Sequence, residues 1–225
     1  MSRKDRNRSL FVNLGPHSIM ILLPTSYMAP AGYLSKVVFG NASLLINERF
    51  VKQTIRSRMH VLSPNGVQAL VIPVVHENLN RSDSKDVRIC YRSSWQRQHF
   101  RSLQAAYGKS AFWGFYEDDL KSIYEVRCEH LWEFNLSTIH FMCTAMGTSV
   151  DFPIFEAFGE VVNRDVDQIG NHSSPEHMGS QPEYIQVFRD RFPFIPGLSA
   201  LDLIMNLGPQ SLWYLKGLLD GKENP

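Results

Sequence analysis

The sequence predicts a single-domain mixed α/β (α+β) fold, with an N-terminal strand–helix–strand unit and β-hairpin sheet half followed by a mainly helical C-terminal half. Three observations predict it. Short apolar runs separated by turn residues fill the region before Ser93, Asn65-Gly66 sits between two β-rich runs, and from Ser93 the apolar period changes from two to 3.6. A chain of 225 residues with 44% hydrophobic side chains can bury one sizeable core, placed here over residues 19–220.

The elements follow in order. Residues 1–18, with Arg3, Lys4, Arg6 and Arg8, are basic and unpatterned, a flexible tail. Asn13, Gly15, Pro16 and His17 interrupt the apolar core that an export signal needs. Ser18–Leu23 reads as a strand closed by Pro24, Thr25–Pro30 carries turn chemistry, and Ala31–Phe39 reads as a helix with Tyr33, Leu34, Val37 and Val38 inward and Gly40 as its stop. Ser43–Asn47 gives a second strand. Beyond the basic stretch Glu48–Arg58, Met59–Ser63 and Val67–Val75 form the hairpin, and Val87–Tyr91 adds a strand.

Ser93 and Gln96 have capping-box spacing ahead of a helix whose face carries Trp95, His99, Ser102 and Ala106, with Leu103 and Tyr107 beside it and Gly108 as its stop. A second helical stretch runs from Asp118 to Met146, divided at Asn135, with Gly147 as its end. Glu117, Asp118 and Asp119 read as the acidic residues that a helix start favours. Gly159–Glu183, polar and rich in loop formers, reads as a mobile loop that covers the site as a lid. Ser199 and Asp202 frame an apolar helix ending at Gly208, and Pro209 begins another with Leu212, Leu215 and Leu219 as its stripe.

Composition excludes several functions. A net charge of +1 gives no global field to hold a polyanion, so no nucleic-acid partner is expected. The run Ile19–Leu23 is far too short for a membrane span. Cys90, Cys128 and Cys143 are odd in number and lack C-x-x-C spacing, which fits buried thiols in a reducing cytoplasm rather than a disulfide scaffold or zinc ribbon. His172 and His177 stand five apart with no companion ligands, so no metal is expected, and no cofactor is identified.

Three segments carry candidate chemistry. Leu22–Tyr33 joins a strand to a helix N-terminus, which favours an anion, and Tyr27 either covers a ligand or packs a proline-bearing turn. Lys52, Gln53, Arg56 and Arg58 place three cations and an amide within seven residues, read as an exposed cluster for a phosphate or carboxylate rather than a merely solvated face. His99, one turn from Trp95, is either a general base near neutral pH or a packed core histidine.

The run Leu23-Pro-Thr-Ser-Tyr27 through Ala31-Gly-Tyr33, then Phe50-Val-Lys-Gln-Thr-Ile-Arg-Ser-Arg58, Asn65-Gly66 to Ile72-Pro73-Val74, Ser94-Trp-Gln-Arg-Gln-His99 to Ala106-Tyr107, and Phe194–Pro209 resembles the WbqC-like family of bacteria. The likeness spans about residues 19–215. It implies a role in surface-polysaccharide, O-antigen-type biosynthesis, with transfer of glycine or another acyl group to a sugar precursor. Where many members have a His-Gln-Pro-Asn-Tyr-like opening followed by Pro-Trp, this chain has Leu23-Pro24 and Ala29-Pro30. The resulting expectation is a cytoplasmic transferase for a small anionic substrate, a nucleotide-sugar or an activated acyl donor. Lys52, Arg56 and Arg58 neutralise the anion, Gln53 donates beside them, Tyr27 shapes the pocket and His99 takes the amine proton. The competing expectation is a non-enzymatic module for a nucleotide-sugar, glycan or protein, marked by a His99 that is buried and hydrogen-bonded away from the basic pocket.

Overall fold

The computed structural model describes residues 21–75, 82–150, 154–155 and 181–220. The tail expected over residues 1–18 lies outside the described residues, as does the loop expected over 159–183 except for its last three. The architecture is mixed α+β, with the strands mainly in the N-terminal half and most helices in the C-terminal half.

Strand β1 (Ile21–Pro24), helix α1 (Ala31–Phe39) and strand β2 (Ala42–Leu45) form the expected strand–helix–strand unit. Parallel neighbours need such a crossover, and β1 and β2 pair in parallel with Leu23 opposite Leu44. All four residues of β2 are buried, as befits a central strand: the two-residue β5 (Ile154–Phe155), numbered in chain order, pairs in parallel on its other side. Helix α1 also meets the last helix, α6 (Ser211–Asp220), where the Ser35 hydroxyl donates to the Leu215 carbonyl at 2.8 Å.

The hairpin forms as the sequence predicts: β3 (Arg58–Ser63) and β4 (Gly66–Val71) pair antiparallel, and Gly66 takes a φ of 103° at the turn. The second strand is shorter than expected: the Ile72 N–H still donates to the Ser57 carbonyl at 2.9 Å, but Pro73 has no N–H with which to extend the ladder. The strand expected over Val87–Tyr91 is reduced to isolated bridges, Val74 with Ile89 and Arg88 with His130.

Helix α2 (Trp95–Tyr107) buries Trp95, His99, Leu103, Ala106 and Tyr107 and stops at Gly108. Ser94 rather than Ser93 is its N-cap, and no side-chain cap forms. Gln96 instead donates to the Val126 carbonyl at 2.6 Å. The stretch expected to run from Asp118 to Met146 is two helices, α3 (Trp113–Glu125) and α4 (Leu131–Ala145), broken at Val126–His130 and not at Asn135. The Glu133 carboxylate accepts from the His130 backbone N–H and fixes the new start. Glu117, Asp118 and Asp119 therefore lie inside α3, not at its beginning.

Helix α5 (Ala200–Leu207) begins at Ser199, whose hydroxyl accepts from the Leu201 N–H at 3.2 Å. It ends at Gly208, where a Cβ would lie 2.3 Å from the Phe112 ring, so only glycine allows that approach. In α6 the buried positions are Ser211, Tyr214 and Leu215, while Leu219 is exposed, correcting the expected leucine stripe. One apolar cluster takes in Leu23 and Leu44 of the parallel sheet, Val61 and Leu70 of the hairpin, Leu103, Phe134 and Leu201 of the helices.

Candidate functional site

In a parallel sheet with covering helices, ligands meet the loops that leave the carboxyl ends of the strands. Here those loops are Thr25–Pro30 after β1 and Ile46–Ser57 after β2. Every substrate-binding residue named from the sequence is on one of them or, for Arg58, at the first position of the strand that follows.

The two loops touch. The Tyr27 N–H donates to the Ile55 carbonyl at 2.9 Å, and the Ser26 hydroxyl reaches the same oxygen at 3.3 Å. Asn135 on α4 clamps both, donating to the Arg56 carbonyl at 2.8 Å and to the Thr25 hydroxyl at 3.2 Å. Each loop also holds a non-glycine residue in left-handed backbone, Met28 at φ 42° and Gln53 at φ 59°. Such conformations cost energy and persist where surrounding contacts dictate them, often at binding sites.

The structure divides the predicted cluster. Lys52 and Gln53 are exposed, and Arg58 is half-buried with a buried Nε that has no hydrogen-bond partner among the described residues. Arg56 is 2% exposed, so the expectation of an exposed cation is corrected. Its guanidinium donates from Nε and from a terminal nitrogen to the two carboxylate oxygens of Glu48, both at 2.6 Å, and reaches the Thr54 hydroxyl at 3.1 Å. Ser84 completes the cluster by donating to Glu48 Oε1 at 2.8 Å. A buried fork-on-fork pair of this kind fixes the β2–β3 connection. The sequence hint was the arginine eight residues from a glutamate, but spacing in a loop does not say that they meet.

Tyr27 and His99 are brought together in the interior, whereas Lys52 and Gln53 are exposed. Tyr27 is fully buried and His99 is 5% exposed. The Tyr27 hydroxyl lies 2.8 Å from His99 Nδ1 and 2.6 Å from the Tyr124 hydroxyl. The Val71 backbone beside the imidazole pulls its pKa up, against the larger effect of burial. With the ring proton on Nε2, Tyr27 donates to Nδ1 and Tyr124 donates to Tyr27, an order that gives both hydroxyl hydrogens an acceptor. Trp95, Tyr124 and Phe134 close around these rings, with Trp95 edge-on to His99 at 5.2 Å between centroids. Burial lowers the His99 pKa to about 4, so the imidazole is neutral at physiological pH. Burial raises the Tyr27 and Tyr124 hydroxyls above the ordinary tyrosine value.

A second polar cluster was missed from the sequence, where Asp202 served only to frame a helix. Its carboxylate is 1% exposed, accepts from the Tyr184 hydroxyl at 2.7 Å and from the Gln186 amide at 3.1 Å, and forms no ion pair among the described residues. The buried Tyr107 hydroxyl faces the same carboxylate without a well-formed hydrogen bond. Burial pushes Asp202 up to about 6 against the pull of these donors. Tyr184 and Gln186 also line a surface cavity of about 820 Å³ with Lys109, Arg189 and Arg191. Nothing local in the sequence signals this site, because its members come from α2, the segment before α5, and α5 itself.

Among the described residues no three His, Cys, Asp or Glu side chains group as a metal site, and no helix is long and apolar enough to cross a membrane. The fold and these loops define a mixed α+β protein whose candidate ligand-binding edge is the carboxyl end of a short parallel sheet. The chain belongs to the WbqC-like protein family, whose model matches residues 26–174. No curated protein and no solved structure matches it.

Proposed function

We propose that the protein is a transferase of bacterial surface-polysaccharide, O-antigen-type, biosynthesis that joins glycine or another acyl group to the amine of a sugar precursor. The reaction class rests on the family resemblance. The observation that supports a place for it is the joining of the β1–α1 and β2–β3 loops at the carboxyl ends of the parallel strands, with Lys52 and Gln53 exposed on one of them. In this reading Lys52, Gln53 and Arg58 hold a phosphate or carboxylate of the substrate. The sugar amine attacks the carbonyl of an activated acyl donor, a C–N bond forms, the bond to the donor's leaving group breaks, and the amine proton passes to solvent. His99 does not meet the amine: neutral and enclosed, it sets the Tyr27 hydroxyl and through it the first loop, so it is a positioning residue.

The enclosure of His99 also favours a second reading, a module that binds a nucleotide-sugar or glycan without reacting with it. Mass spectrometry separates the two. The purified protein is incubated with ATP, glycine and amino-sugar nucleotides, and separately with preformed glycyl thioester as donor. The transferase reading expects an acylated sugar product that is lost in the Lys52→Gln/Arg58→Gln variant. Saturable sugar binding with no product from either donor would replace it by the binding module.

A further inference from the structure

A cavity of about 590 Å³ opens between α2 and α3, a size typical of small-molecule sites. Its walls are of two kinds. Tyr91, Phe100 and Tyr124 supply aromatic surface, while Arg97, Lys121 and Arg127 supply three cations. Glu125 is the one carboxylate among its described lining residues. None of the three cations forms an ion pair among the described residues.

Contacts within the protein hold the Tyr91, Arg127 and Tyr124 walls. The Tyr91 hydroxyl donates to the Cys128 carbonyl at 2.9 Å and accepts from the Cys128 N–H at 3.1 Å. Arg127 lies over the same ring, 5.1 Å from its centroid. The Gln96 bond to Val126 ties the first turn of α2 to the segment leaving α3. At the inner wall, Tyr124 is hydrogen-bonded to Tyr27, so one bond separates the cavity from the β1–α1 loop. Walls fixed in this way lose little further freedom on binding.

We infer that this cavity binds a nucleoside diphosphate group, with a flat ring against the aromatic walls and the phosphates on Arg97, Lys121 and Arg127. Forked guanidinium donors suit phosphate oxygens, aromatic surface suits a base, and an excess of two cations over carboxylates suits a diphosphate. The inference deepens the transferase reading: that the bound group carries the sugar to be modified rests on that reading, whereas the site itself rests on the cavity.

Calorimetry on the full chain tests it, with UDP, CDP, ADP and GDP as probes and with pyrophosphate and uridine as controls. At least one nucleoside diphosphate should bind, about tenfold or more tighter than pyrophosphate or uridine. Arg97→Gln/Arg127→Gln should weaken it by about tenfold or more, with thermal melting showing an intact fold. Lys121→Gln gives a second, independent charge removal, on the exposed side of α3. The inference is overturned if no nucleoside diphosphate binds, if pyrophosphate binds equally well, or if only the Lys52/Arg58 variant loses binding. Binding that depends on Arg97 and Arg127 without any acyl product would retain this site and remove the transferase reading.

Discussion

The Tyr27 hydroxyl stands 2.8 Å from Nδ1 of His99, across 72 residues of chain, and this contact joins the loop after the first strand to the helix that follows the hairpin. Tyr124, on the next helix, completes the chain of hydroxyls. Three separate elements are thus locked by polar groups inside an aromatic enclosure, where an unpaired group is costly.

Removal of the shared hydroxyl tests that lock. Tyr27→Phe keeps the ring but leaves His99 Nδ1 and the Tyr124 hydroxyl without their partner, so it should lower the unfolding free energy by about 1–3 kcal/mol in urea titration. A change within error would show that the rings alone hold the loop.

The pH response should carry the sign of a depressed histidine. His99 in the fold lies at about 4, below its ordinary value, so its contribution is fully present above pH 6.5 and is lost as pH falls from 6.5 through 4. Asp202, raised to about 6, has the opposite sign: its contribution is present below its ordinary pKa and is lost as pH rises through 6. The two oppose each other between pH 4 and 6 and partly conceal one another in the wild type. His99→Gln removes one of them. The stability difference between wild type and His99→Gln should therefore shift in favour of the variant by roughly 3 kcal/mol from pH 7 to pH 4. A constant difference across that range would mean that the imidazole protonates freely in the fold.

Arg56 and Arg58 should separate stability from binding. Arg56→Gln strands the buried Glu48 carboxylate and should cost about 3–5 kcal/mol by chemical denaturation. Arg58→Gln, at a half-buried position without an ion pair among the described residues, should change stability by less than about 1 kcal/mol while weakening the anionic substrate. Equal melting temperatures for the two variants would contradict the burial of the first.

Backbone strain at Gln53 makes a surface test free of packing effects. At φ 59° a glycine is comfortable and a β-branched residue is not. Gln53→Gly should leave stability unchanged or raise it by up to about 1 kcal/mol, while Gln53→Val should lower it by about 1–2 kcal/mol. If both variants melt with the wild type, the left-handed conformation is not imposed on the loop.

Local chemistry made much of the fold readable in the sequence. Helix α1 was predicted over its observed span because an apolar stripe ends at Gly40, and the hairpin because Asn65-Gly66 dictates a tight turn between β-rich runs. Both depend on residues near one another in the chain. The break between α3 and α4 was misplaced at Asn135 because a polar residue in a helical run looks like an interruption. Its amide nitrogen donates instead to the Thr25 hydroxyl and the Arg56 carbonyl, which lie 110 and 79 residues away. The same limit applies to the site. The sequence placed Lys52, Gln53, Arg56 and Arg58 in one short segment, and it is the burial of Arg56 on Glu48 that separates a structural cation from the exposed Lys52. His99 could be assigned to a helix face next to Trp95, but its neutrality follows from the enclosure built by Tyr27, Tyr124 and Phe134, and the cluster around Asp202 has no local pattern at all. Periodicity and turn chemistry therefore determined which segments became helices and strands. The tertiary structure alone decided which polar groups are desolvated and by whom they are paired, because burial and long-range hydrogen bonding depend on neighbours that chain order does not specify.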